Sequence, residues 1–580
     1  MLLTTEGNMA AVSFLVLAAF LVIGNEALEV PMSAVNDWGG RFEGKFVFNI
    51  PEEVAGWEVI LHFDEPVTGL TEWMGDIIKT ANDNTEYVLV SKPHTGIQHV
   101  GQTLSITVQA AYSGSAPPTA KGTLVNMAHD GQTVPPAPTV PGAKYNYDEV
   151  LEKSILFYEA QRSGKLPPNN RISWRGDSAM NDQGANGEDL TGGWYDAGDH
   201  VKFGLPMSAS VTMLAWGFLQ YADAYENAGQ TEYMYDCIRW PLEWLIKAHT
   251  APNELYIQVG DGGQDHGFWG RPEDMTMARP AFKVDATNPG SDVAGEYTAA
   301  MAAGYLVFKD KDPTFAAQLL TNAEEIYKFA VTYKGIYSNS VNQAAAYYRS
   351  SAYEDELCWG ALWLYMATNK TSYLTDAKTY YTAVAGPDWG QSWDDKGAGC
   401  QILLYNITGE QTYKDNIEAT FTDWLPGGSI PYSPKGLAFR SQWGSLRYAS
   451  NMAFMALLAA DEGIHVPEYR AWAKSQIHYA LGDTGRSFVV GFGVNPPTQP
   501  HHRGSSCPMM PTPCSWEAQQ QKGPNPHTLY GALVGGPDGS DSYTDSRGNY
   551  INNEVACDYN AGFQSAVAGL LHLTLEGELP

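Results

Sequence analysis

Two stretches of the chain decide what kind of fold it must have: WYDAGDH at 194–200 and DSYTDSRGNYINNEVACDYNA at 541–561. Each places a carboxyl group, Asp199 in the first and Glu554 in the second, in a loop-like segment with aromatic residues close by. A pair of positioned carboxyl groups is what acid–base catalysis requires, because one donates a proton and the other accepts one. Since 355 residues separate the two, only a large fold can bring them into one cleft.

The composition is that of a large globular protein with an excess of acidic residues. Its 580 residues exceed what one compact core usually holds, so two domains or one large domain are expected. Hydrophobic residues make up 44% and charged residues 17%, which argues against general disorder. The formal net charge of −30 argues against a nucleic-acid partner, because such proteins concentrate Lys and Arg. The 17 Trp and 33 Tyr suit either aromatic stacking on a neutral substrate or a large helical core.

The N-terminus carries an uncharged apolar run over residues 10–23. The run is too short to cross a bilayer but matches the core of a secretory signal peptide. We therefore predict a signal peptide over 1–27, a secreted, extracellular protein and no membrane association. No Lys or Arg precedes the run, so a buried N-terminal segment is the alternative. Six cysteines agree with export, because an even number permits full pairing.

Residues 28–126 show the alternating pattern of half-buried strands. Apolar residues recur at every second position in three runs: Phe42, Phe46, Phe48 and Ile50; Trp57, Val59, Leu61 and Phe63; Leu104, Ile106, Val108 and Ala110. Short strands of this kind, with Gly and Pro between them, predict a small all-β sandwich. No acidic constellation in this module resembles a catalytic site, so we expect it to serve another purpose.

The segment 127–144 contains four prolines among small polar residues, which predicts an extended linker. From 145 to 580 the hydrophobic period is helical. We predict twelve helices, near 146–162, 206–227, 232–248, 292–308, 313–332, 354–368, 370–384, 396–407, 409–424, 442–460, 467–481 and 558–575. With no strand pattern between them, twelve antiparallel helices favour an all-α (α/α)6 barrel, and an open helical solenoid is the alternative.

The segment 482–557 has no regular period, and a loop of that length in a compact domain is usually functional or disordered. Its aromatic residues and its cysteines favour an ordered loop. Cys507 and Cys514 close a short Pro-rich stretch and predict a disulfide, whereas Cys237, Cys358 and Cys400 lie in helical patterns as candidate buried thiols.

Asp196 and Asp199 stand three residues apart in a glycine-containing turn, so both can face one water molecule. One carboxylate would accept a proton from the water while the other orients it. The alternatives are an N-cap for the following helix or half of a calcium site.

Glu554 lies just before a predicted helix, among groups that raise the pKa of a carboxyl. Tyr550 and Tyr559 would reduce its solvation, and Asp545 and Asp558 would add like charge. A raised pKa is what a general acid needs near neutral pH. The alternative is an acidic residue favoured by the dipole at the start of the following helix.

Two further loops offer ligand-binding side chains. SFVVGFGVNPPTQPHHR at 487–503 ends in His501, His502 and Arg503, and QVGDGGQDHGFW at 258–269 adds another His and Trp. Imidazole and guanidinium groups are good partners for the hydroxyl groups of a ligand. Metal binding by the two adjacent histidines is the rival, but such pairs seldom point to one ion, so we favour hydroxyl recognition.

Six motifs together resemble glycoside hydrolase family nine, the inverting cellulases built on an (α/α)6 barrel. They are YDAGDH at 195–200, QVGDG at 258–262, SWDDK at 392–396, WGSLRYA at 443–449, PHxR at 500–503 and NEVAxDYNA at 553–561. The resemblance covers roughly 145–580, and the motifs keep the family's order.

The resemblance implies a role for each matching residue. The catalytic residues it implies are Asp199 as general base, Asp196 as its partner in holding water, Glu554 as general acid and Asp545 as a supporting acid. The substrate-binding residues it implies are Tyr559, a cleft tyrosine, and His501 and Arg503, close to the scissile bond. Our candidates for a sugar-stacking platform are His266, Trp269, Tyr347, Trp389 and Trp443.

Two accessory sites follow from resemblance as well. Ser351, Asp355, Glu356 and Asp394 match positions at which some members bind calcium, an ion that prefers oxygen ligands. The alternative for Asp355 and Glu356 is a helix N-terminus. The β module resembles a family-two carbohydrate-binding module, with Trp38 and Trp73 at its exposed cellulose-stacking positions and Trp57 at its buried one.

The resemblance implies a secreted, monomeric endo-β-1,4-glucanase that hydrolyses internal bonds of cellulose or another β-glucan with inversion, without a required cofactor. Rival enzymes on this barrel prefer mixed-linkage glucan, xylan or chitosan oligosaccharides. The rival of another class is a glycan-binding protein without catalysis. Loss of catalysis usually removes a carboxylate, and Asp196, Asp199 and Glu554 are all present, which favours the enzyme. Endo and processive action are both compatible with the sequence.

Overall fold

The computed structural model describes residues 28–49, 56–72, 75–91, 103–127 and 143–580. The predicted signal peptide, residues 128–142 of the predicted linker and Trp73 lie outside the described residues. The chain divides into two compact units, residues 1–135 and 136–580. Within the described ranges, no helix is long and apolar enough to span a membrane.

The first unit is a β-sandwich, as the alternating pattern predicted. Its strands are β1 (Leu28–Pro31), β2 (Ser33–Asp37), β3 (Arg41–Asn49), β4 (Gly56–Phe63), β5 (Thr68–Thr71), β6 (Gly75–Ala81), β7 (Glu86–Ser91), β8 (Thr103–Ala111) and β9 (Ala120–Met127). One antiparallel sheet has the order β1-β9-β4-β7-β6 and the other β2-β3-β8-β5. Phe46 on β3 lies opposite Ile106 on β8, and both are fully buried, as is Trp57 on β4. Trp38, in contrast, is 57% exposed.

The second unit is mainly helical. Its helices are α1 (Tyr147–Ala160), α2 (Gly204–Gln220), α3 (Ala222–Asn227), α4 (Thr231–Ala248), α5 (Gly262–His266), α6 (Ser291–Phe308), α7 (Pro313–Thr332), α8 (Tyr337–Ser340), α9 (Asn342–Ala345), α10 (Glu354–Thr368), α11 (Thr371–Tyr381), α12 (Gly397–Thr408), α13 (Gln411–Trp424), α14 (Ser445–Asp461), α15 (Val466–His478), α16 (Arg503–Ser506), α17 (Trp516–Gln520) and α18 (Cys557–Leu575).

Twelve of these helices form two concentric rings. The inner helices α2, α6, α10, α12, α14 and α18 contact one another in that order, and α18 packs back onto α2. The outer helices α1, α4, α7, α11, α13 and α15 each pack against an inner one. Because the inner ring closes on itself, the predicted (α/α)6 barrel is confirmed and the open solenoid is excluded.

The two rings differ in how much of each helix is buried. The inner helix α6 buries almost all of its side chains, as expected for a helix enclosed by the protein on every side. The outer helix α13 buries a single stripe, including Tyr413, Ile417, Phe421 and Trp424. The residues of this stripe follow the helical period, and this is why the outer helices could be predicted from the sequence.

The structure corrects the expectation that no strands lie among the helices. A three-stranded antiparallel sheet is formed by β10 (Lys202–Phe203), β11 (Glu254–Val259) and β12 (Ala281–Asp285). These strands are short, and β11 is buried on both faces, so it lacks the alternation that marks a strand in sequence. The sheet begins directly after the turn that holds Asp196 and Asp199, and the carbonyl of Val201, just before β10, accepts a hydrogen bond from the N–H of Asp196 over 3.0 Å.

The long segment after α15 is ordered by internal contacts. It contains the short helices α16 and α17, an isolated β-bridge between Val489 and Leu533, and a disulfide between Cys507 and Cys514. The other four cysteines, Cys237, Cys358, Cys400 and Cys557, are buried free thiols.

Candidate active site

The turn at 196–199 is where two distant segments of the chain meet, and Gly198 makes that contact possible. The N–H of Gly198 donates a hydrogen bond to Glu554 Oε1 over 3.2 Å, and its carbonyl accepts one from the N–H of Arg503 over 3.0 Å. A Cβ at position 198 would lie 1.9 Å from the carbonyl oxygen of His501, so only glycine fits. The structure thus brings Asp196 and Asp199 to the same place as Glu554.

Asp196 is buried below the turn and receives a hydrogen bond from the hydroxyl of Tyr348. Burial raises the pKa of Asp196 well above its usual range, and the nearby charges of Asp199 and Asp558 raise it further. Tyr348 was not among the predicted residues, although its neighbour Tyr347 was. Nothing in the local sequence distinguishes the two tyrosines, because the contact joins segments 152 residues apart.

Asp199 has one carboxylate oxygen in contact with a side chain and one without a partner. Its Oδ2 lies 3.4 Å from Nε2 of His266, and this hydrogen bond raises the pKa of the imidazole. Its Oδ1 is buried and receives no hydrogen bond from any group in the described part of the chain. The carboxylate of Asp199 therefore keeps unused capacity to accept a hydrogen bond, which a general base requires.

The surroundings of Glu554 favour its protonated form. Burial raises the pKa of Glu554 well above its usual range, the charge of Asp199 raises it further, and the hydrogen bond from Gly198 opposes both. These are the conditions under which a carboxyl keeps its proton near neutral pH and can donate it.

Asp545, the predicted supporting acid, accepts hydrogen bonds at both of its carboxylate oxygens. It accepts from the N–H and hydroxyl of Thr498 over 2.7 and 2.8 Å, from the N–H of Gln499 over 3.1 Å and from the amide of Asn553 over 3.0 Å. These bonds hold the loop before His501 to Asn553, the residue that precedes Glu554. The like charge that raises the pKa of Glu554 is that of Asp199.

His501 and Arg503 both reach the site, each held by a partner. Nδ1 of His501 lies 2.6 Å from the carbonyl oxygen of Arg547, which leaves Nε2 for a ligand, and burial lowers the pKa of His501 to about 4. The guanidinium of Arg503 is buried and forms an ion pair with Asp265. Asp265 was missed in the sequence because its role depends on Arg503, 238 residues away.

The predicted sugar-stacking residues differ in exposure. His266, Tyr347, Trp389 and Trp443 present exposed surface, whereas Trp269 is only 3% exposed. Tyr559, the predicted cleft tyrosine, is buried beside Ala197 and Ala556. The indole N–H of Trp269 donates to Ser506 Oγ over 3.0 Å, and its ring packs on those of His501 and Trp516. The prediction for Trp269 is therefore wrong, because α16 and the neighbouring loop cover the ring and leave no free face for a sugar.

A group of buried ions holds the acidic turn in place, and no pattern in the sequence predicted it. Asp182 lies 2.7 Å from the ammonium of Lys202 and 2.7 Å from Nε of Arg279. Lys202 also donates to the carbonyls of Leu190 and Gly192 over 2.6 and 3.0 Å. Burial lowers the pKa of Lys202 to about 8, while the charge of Asp182 opposes that change.

Arg279 completes this ion group on the far side of the turn. Its Nη1 donates to the carbonyl of His200 over 2.8 Å, one residue after Asp199. The group of Asp182, Lys202 and Arg279 therefore fixes the backbone both before Asp196 and after Asp199.

Of the predicted calcium residues, Asp355 and Glu356 lie in the first turn of α10, Ser351 lies just before it, and Asp394 lies in the loop before α12. The N–H of Ser351 donates to Asp394 Oδ1, and the N–H of Lys396 donates to Asp355 Oδ2, each over 2.9 Å. Asp355 Oδ1 and both oxygens of Glu356 are buried and receive no hydrogen bond within the described residues. Burial and the charge of Asp355 raise the pKa of Glu356 well above its usual range. Oxygen donors that lack hydrogen bonds fit a hard cation such as calcium.

Asp199, Asp265 and His266 also carry metal-ligating atoms, and one such atom from each lies within 4.8 Å of the others. The guanidinium of Arg503 already neutralises Asp265. The group therefore belongs to the acid–base site itself.

Comparison with known proteins agrees with this geometry. A model of glycosyl hydrolase family 9 matches residues 147–567. Endoglucanase B of Cellulomonas fimi is 49% identical over 479 residues, which cover 79% of this chain and 44% of that protein, so the chain spans less than half of that relative's length.

Two solved structures have the same fold as the helical unit. The endoglucanase of the termite Nasutitermes takasagoensis superposes with a TM-score of 0.73 at 51% identity, covering 74% of this chain and all of that one. The cellulase Cel9M of C. cellulolyticum in complex with cellobiose superposes with a TM-score of 0.69 at 35% identity, covering 73% of this chain and 98% of that one.

Proposed function

The chain belongs to glycosyl hydrolase family 9, and we propose that it is an endo-β-1,4-glucanase that hydrolyses internal bonds of cellulose with inversion. That membership confirms the predicted enzyme class, a glycoside hydrolase of the cellulase type. The observation that carries the proposal is the hydrogen bond from Gly198 to Glu554. It joins the acidic turn to a carboxyl group with a raised pKa that lies near the other end of the helical unit in sequence.

In the proposed reaction Asp199 is the base. Its carboxylate accepts a proton from a water molecule, while Asp196, held by Tyr348, orients that water. The oxygen of the water then attacks the anomeric carbon from the face opposite to the leaving group. Inversion requires the base and acid carboxyls about 6.5–9.5 Å apart, so that the water fits between base and sugar.

Glu554 is the proposed acid. Because burial and Asp199 raise its pKa, Glu554 is protonated when substrate arrives and transfers its proton to the departing glycosidic oxygen. Neutral His501 presents Nε2, and Arg503, fixed by Asp265, presents its guanidinium to sugar hydroxyls beside that oxygen. The solved relative bound to cellobiose supports a β-glucan substrate.

Hydrolysis of carboxymethylcellulose tests the proposal. We expect a rapid fall in viscosity, which internal cleavage causes, and initial release of the α-anomer from cello-oligosaccharides by NMR. Initial release of the β-anomer would overturn the inverting mechanism. Activity on xylan or chitosan oligosaccharides with none on β-1,4-glucan would overturn the substrate.

We further propose that the β unit is a carbohydrate-binding module that uses Trp38, whose ring is exposed. Deleting residues 28–144 should leave the hydrolysis of soluble substrate nearly unchanged, because no proposed catalytic residue lies there. Binding to insoluble cellulose should fall, since tethering raises the enzyme's local concentration. Pull-down with microcrystalline cellulose measures the change, and equal binding with and without the module would refute its role.

We also propose that the protein is secreted, because of the apolar run at 10–23. A structural calcium ion is proposed at Ser351, Asp355, Glu356 and Asp394. Calcium there would satisfy the buried carboxylate oxygens at the start of α10 and would take no part in proton transfer.

A further inference from the structure

Two tripeptides of the helical unit match the acceptor sequence for N-linked glycosylation, Asn-x-Ser/Thr with x other than Pro. They are Asn369-Lys-Thr371 and Asn406-Ile-Thr408. Each lies at the C-terminal end of an inner helix, the first directly after α10 and the second in the last turn of α12. Because so short a motif also arises by chance, the surroundings of each Asn decide whether it can be modified.

The side-chain amide of Asn369 is free to react. Asn369 is exposed and ends α10 in the left-handed conformation, with φ 56° and ψ 22°, which Asn adopts more readily than most residues. Thr371, two residues later, is also exposed. Within the described residues, neither the Asn369 amide nor the Thr371 hydroxyl has a hydrogen-bond partner. Both groups that the acceptor sequence requires therefore face solvent.

The turn that carries Asn369 is held by its neighbours. The N–H of Lys370 donates to Thr368 Oγ1 over 3.2 Å, and the Lys370 ammonium forms an ion pair with Glu324 on α7. The hydroxyl of Tyr373 donates to the same carboxylate over 2.9 Å. Since these contacts fix the turn, a sugar on the Asn369 side chain would break none of them.

Asn406, in contrast, already takes part in the fold. Its Nδ2 donates to Glu462 Oε1 over 2.5 Å, which links α12 to the residue that follows α14. The hydroxyl of Thr408 donates to the carbonyl of Leu404 over 2.7 Å and accepts from the N–H of Glu410 over 3.2 Å. A sugar on Nδ2 would displace Glu462, and binding to a transferase would require the last turn of α12 to open.

We propose that Asn369 carries an N-linked glycan and that Asn406 stays unmodified. This inference rests on the proposed secretion, because the secretory pathway of eukaryotic cells supplies the sugar donor, a lipid-pyrophosphate-linked oligosaccharide. In the transfer, Nδ2 of Asn369 forms a bond to C1 of the first sugar, and the amide loses one proton. The bond from C1 to the pyrophosphate oxygen breaks, and the lipid pyrophosphate leaves with the bonding electrons.

The glycan would stand at the end of the barrel opposite to the acid–base site. Asp199 precedes α2 and Glu554 precedes α18, so the site lies at the N-terminal ends of inner helices. Successive inner helices are joined through outer ones and therefore run in the same direction. The 15 residues of α10 place Asn369 about 22 Å from that end, at about 1.5 Å per residue. The glycan should therefore leave the reaction unaffected.

The experiment maps glycans on the full chain secreted from insect cells. Enzymatic removal of N-glycans in isotope-labelled water converts each modified Asn to labelled Asp, which mass spectrometry of peptides locates. We expect the label at Asn369 and none at Asn406. Thr371→Ala should lose one glycan while Asn369 keeps its left-handed conformation, and Thr371→Ser should retain the glycan, because it keeps the hydroxyl. Thr408→Ala is the matched control and should leave the glycan mass unchanged.

The activity of Thr371→Ala on carboxymethylcellulose distinguishes this inference from the proposed function. We expect its kcat/KM to equal that of the glycosylated wild type, and a loss would contradict the position of the glycan away from the site. An unlabelled Asn369 in the secreted protein, or equal labelling of Asn369 and Asn406, would overturn the inference whatever the activity. A protein glycosylated at Asn369 but inactive on β-glucan would refute the proposed function and leave the modification site standing.

Discussion

The two sides of the proposed catalytic pair are held in place by different forces. On the base side, the ion group of Asp182, Lys202 and Arg279 is buried and binds the backbone around the turn directly. On the acid side, the hydrogen bonds of Asp545 and one disulfide hold a long loop at several separate points. Removing one partner from a buried ion group lowers the stability of the fold strongly. Removing one of the several contacts that hold a loop should lower it much less.

The largest expected effect comes from removing the reacting groups themselves. Asp199→Ala and Glu554→Gln should each lower kcat by about 10²–10⁴-fold, because positioned proton transfer usually contributes that much. Steady-state kinetics on carboxymethylcellulose measures the loss, with circular dichroism to verify the fold. Asp310→Ala, at an exposed acid just after α6, is the control and should retain full activity. Near-normal activity in either site variant would refute the assignment.

The next effect tests the base side. Lys202→Met leaves Asp182 with only Arg279, and loss of one buried partner should destabilise the protein by about 3 kcal/mol. The turn would also shift, and a displacement of about 1 Å can cost roughly 10²-fold in rate. Thermal unfolding and kcat are measured together.

Lys247→Met provides a matched control for the base side. Lys247 contacts the same loop through Asp189 over 2.9 Å and the carbonyl of Thr191, but its ion pair is exposed. Exposed pairs contribute less than about 1 kcal/mol, so this variant should change stability little. If both lysine variants lose equal stability, burial of the ion group does not explain why the base side depends on Lys202.

A smaller effect is expected on the acid side. Cys507→Ser with Cys514→Ser should fold, because the barrel does not depend on this loop, and should lower kcat/KM about tenfold through looser substrate positioning. Arg271 also donates to the carbonyls of Pro508 and Thr512 in this loop, which explains why the loss should be modest. Thiol counting should find four free cysteines in the wild type. Unchanged kinetics, or six free thiols in the wild type, would contradict the role of the disulfide.

The barrel could be predicted because its outer helices carry an amphipathic stripe, as α13 does with Tyr413, Ile417 and Phe421. The sheet of β10, β11 and β12 was missed because a short strand buried on both faces has the same apolar pattern as a piece of helix. Helix and strand signals are local, and they fail where local sequence is ambiguous.

The site could be predicted only in part, for a related reason. Asp196, Asp199 and Glu554 stand in short motifs that the local sequence carries. Asp265 and Tyr348 act through partners far away in the chain, and no local pattern encodes such a contact. The prediction that Trp269 stacks on a sugar was wrong for the same reason, because residues far away in the chain cover its ring.

The smallest expected effect is a gain in stability when the acid is neutralised. Burial and the charge of Asp199 raise the pKa of Glu554 above the value of 4.5 expected for an unfolded chain. The folded state therefore binds the proton more tightly, and its stability falls as pH rises from the unfolded pKa through the folded one. Glu554→Gln cannot ionise, and its amide oxygen can keep the hydrogen bond from Gly198.

We expect Glu554→Gln to match the wild type near pH 4 and to melt about 1–3 °C higher at pH 7, since one pKa unit corresponds to about 1.4 kcal/mol. In an Asp199→Asn background the gain should shrink but persist, because burial remains after the neighbouring charge is removed. Calorimetric melting at both pH values measures each variant. A gain at pH 4 that equals the gain at pH 7 would show that the amide stabilises by another route and that Glu554 has no raised pKa. Glu554 would then lack the raised pKa that suits it to donate a proton.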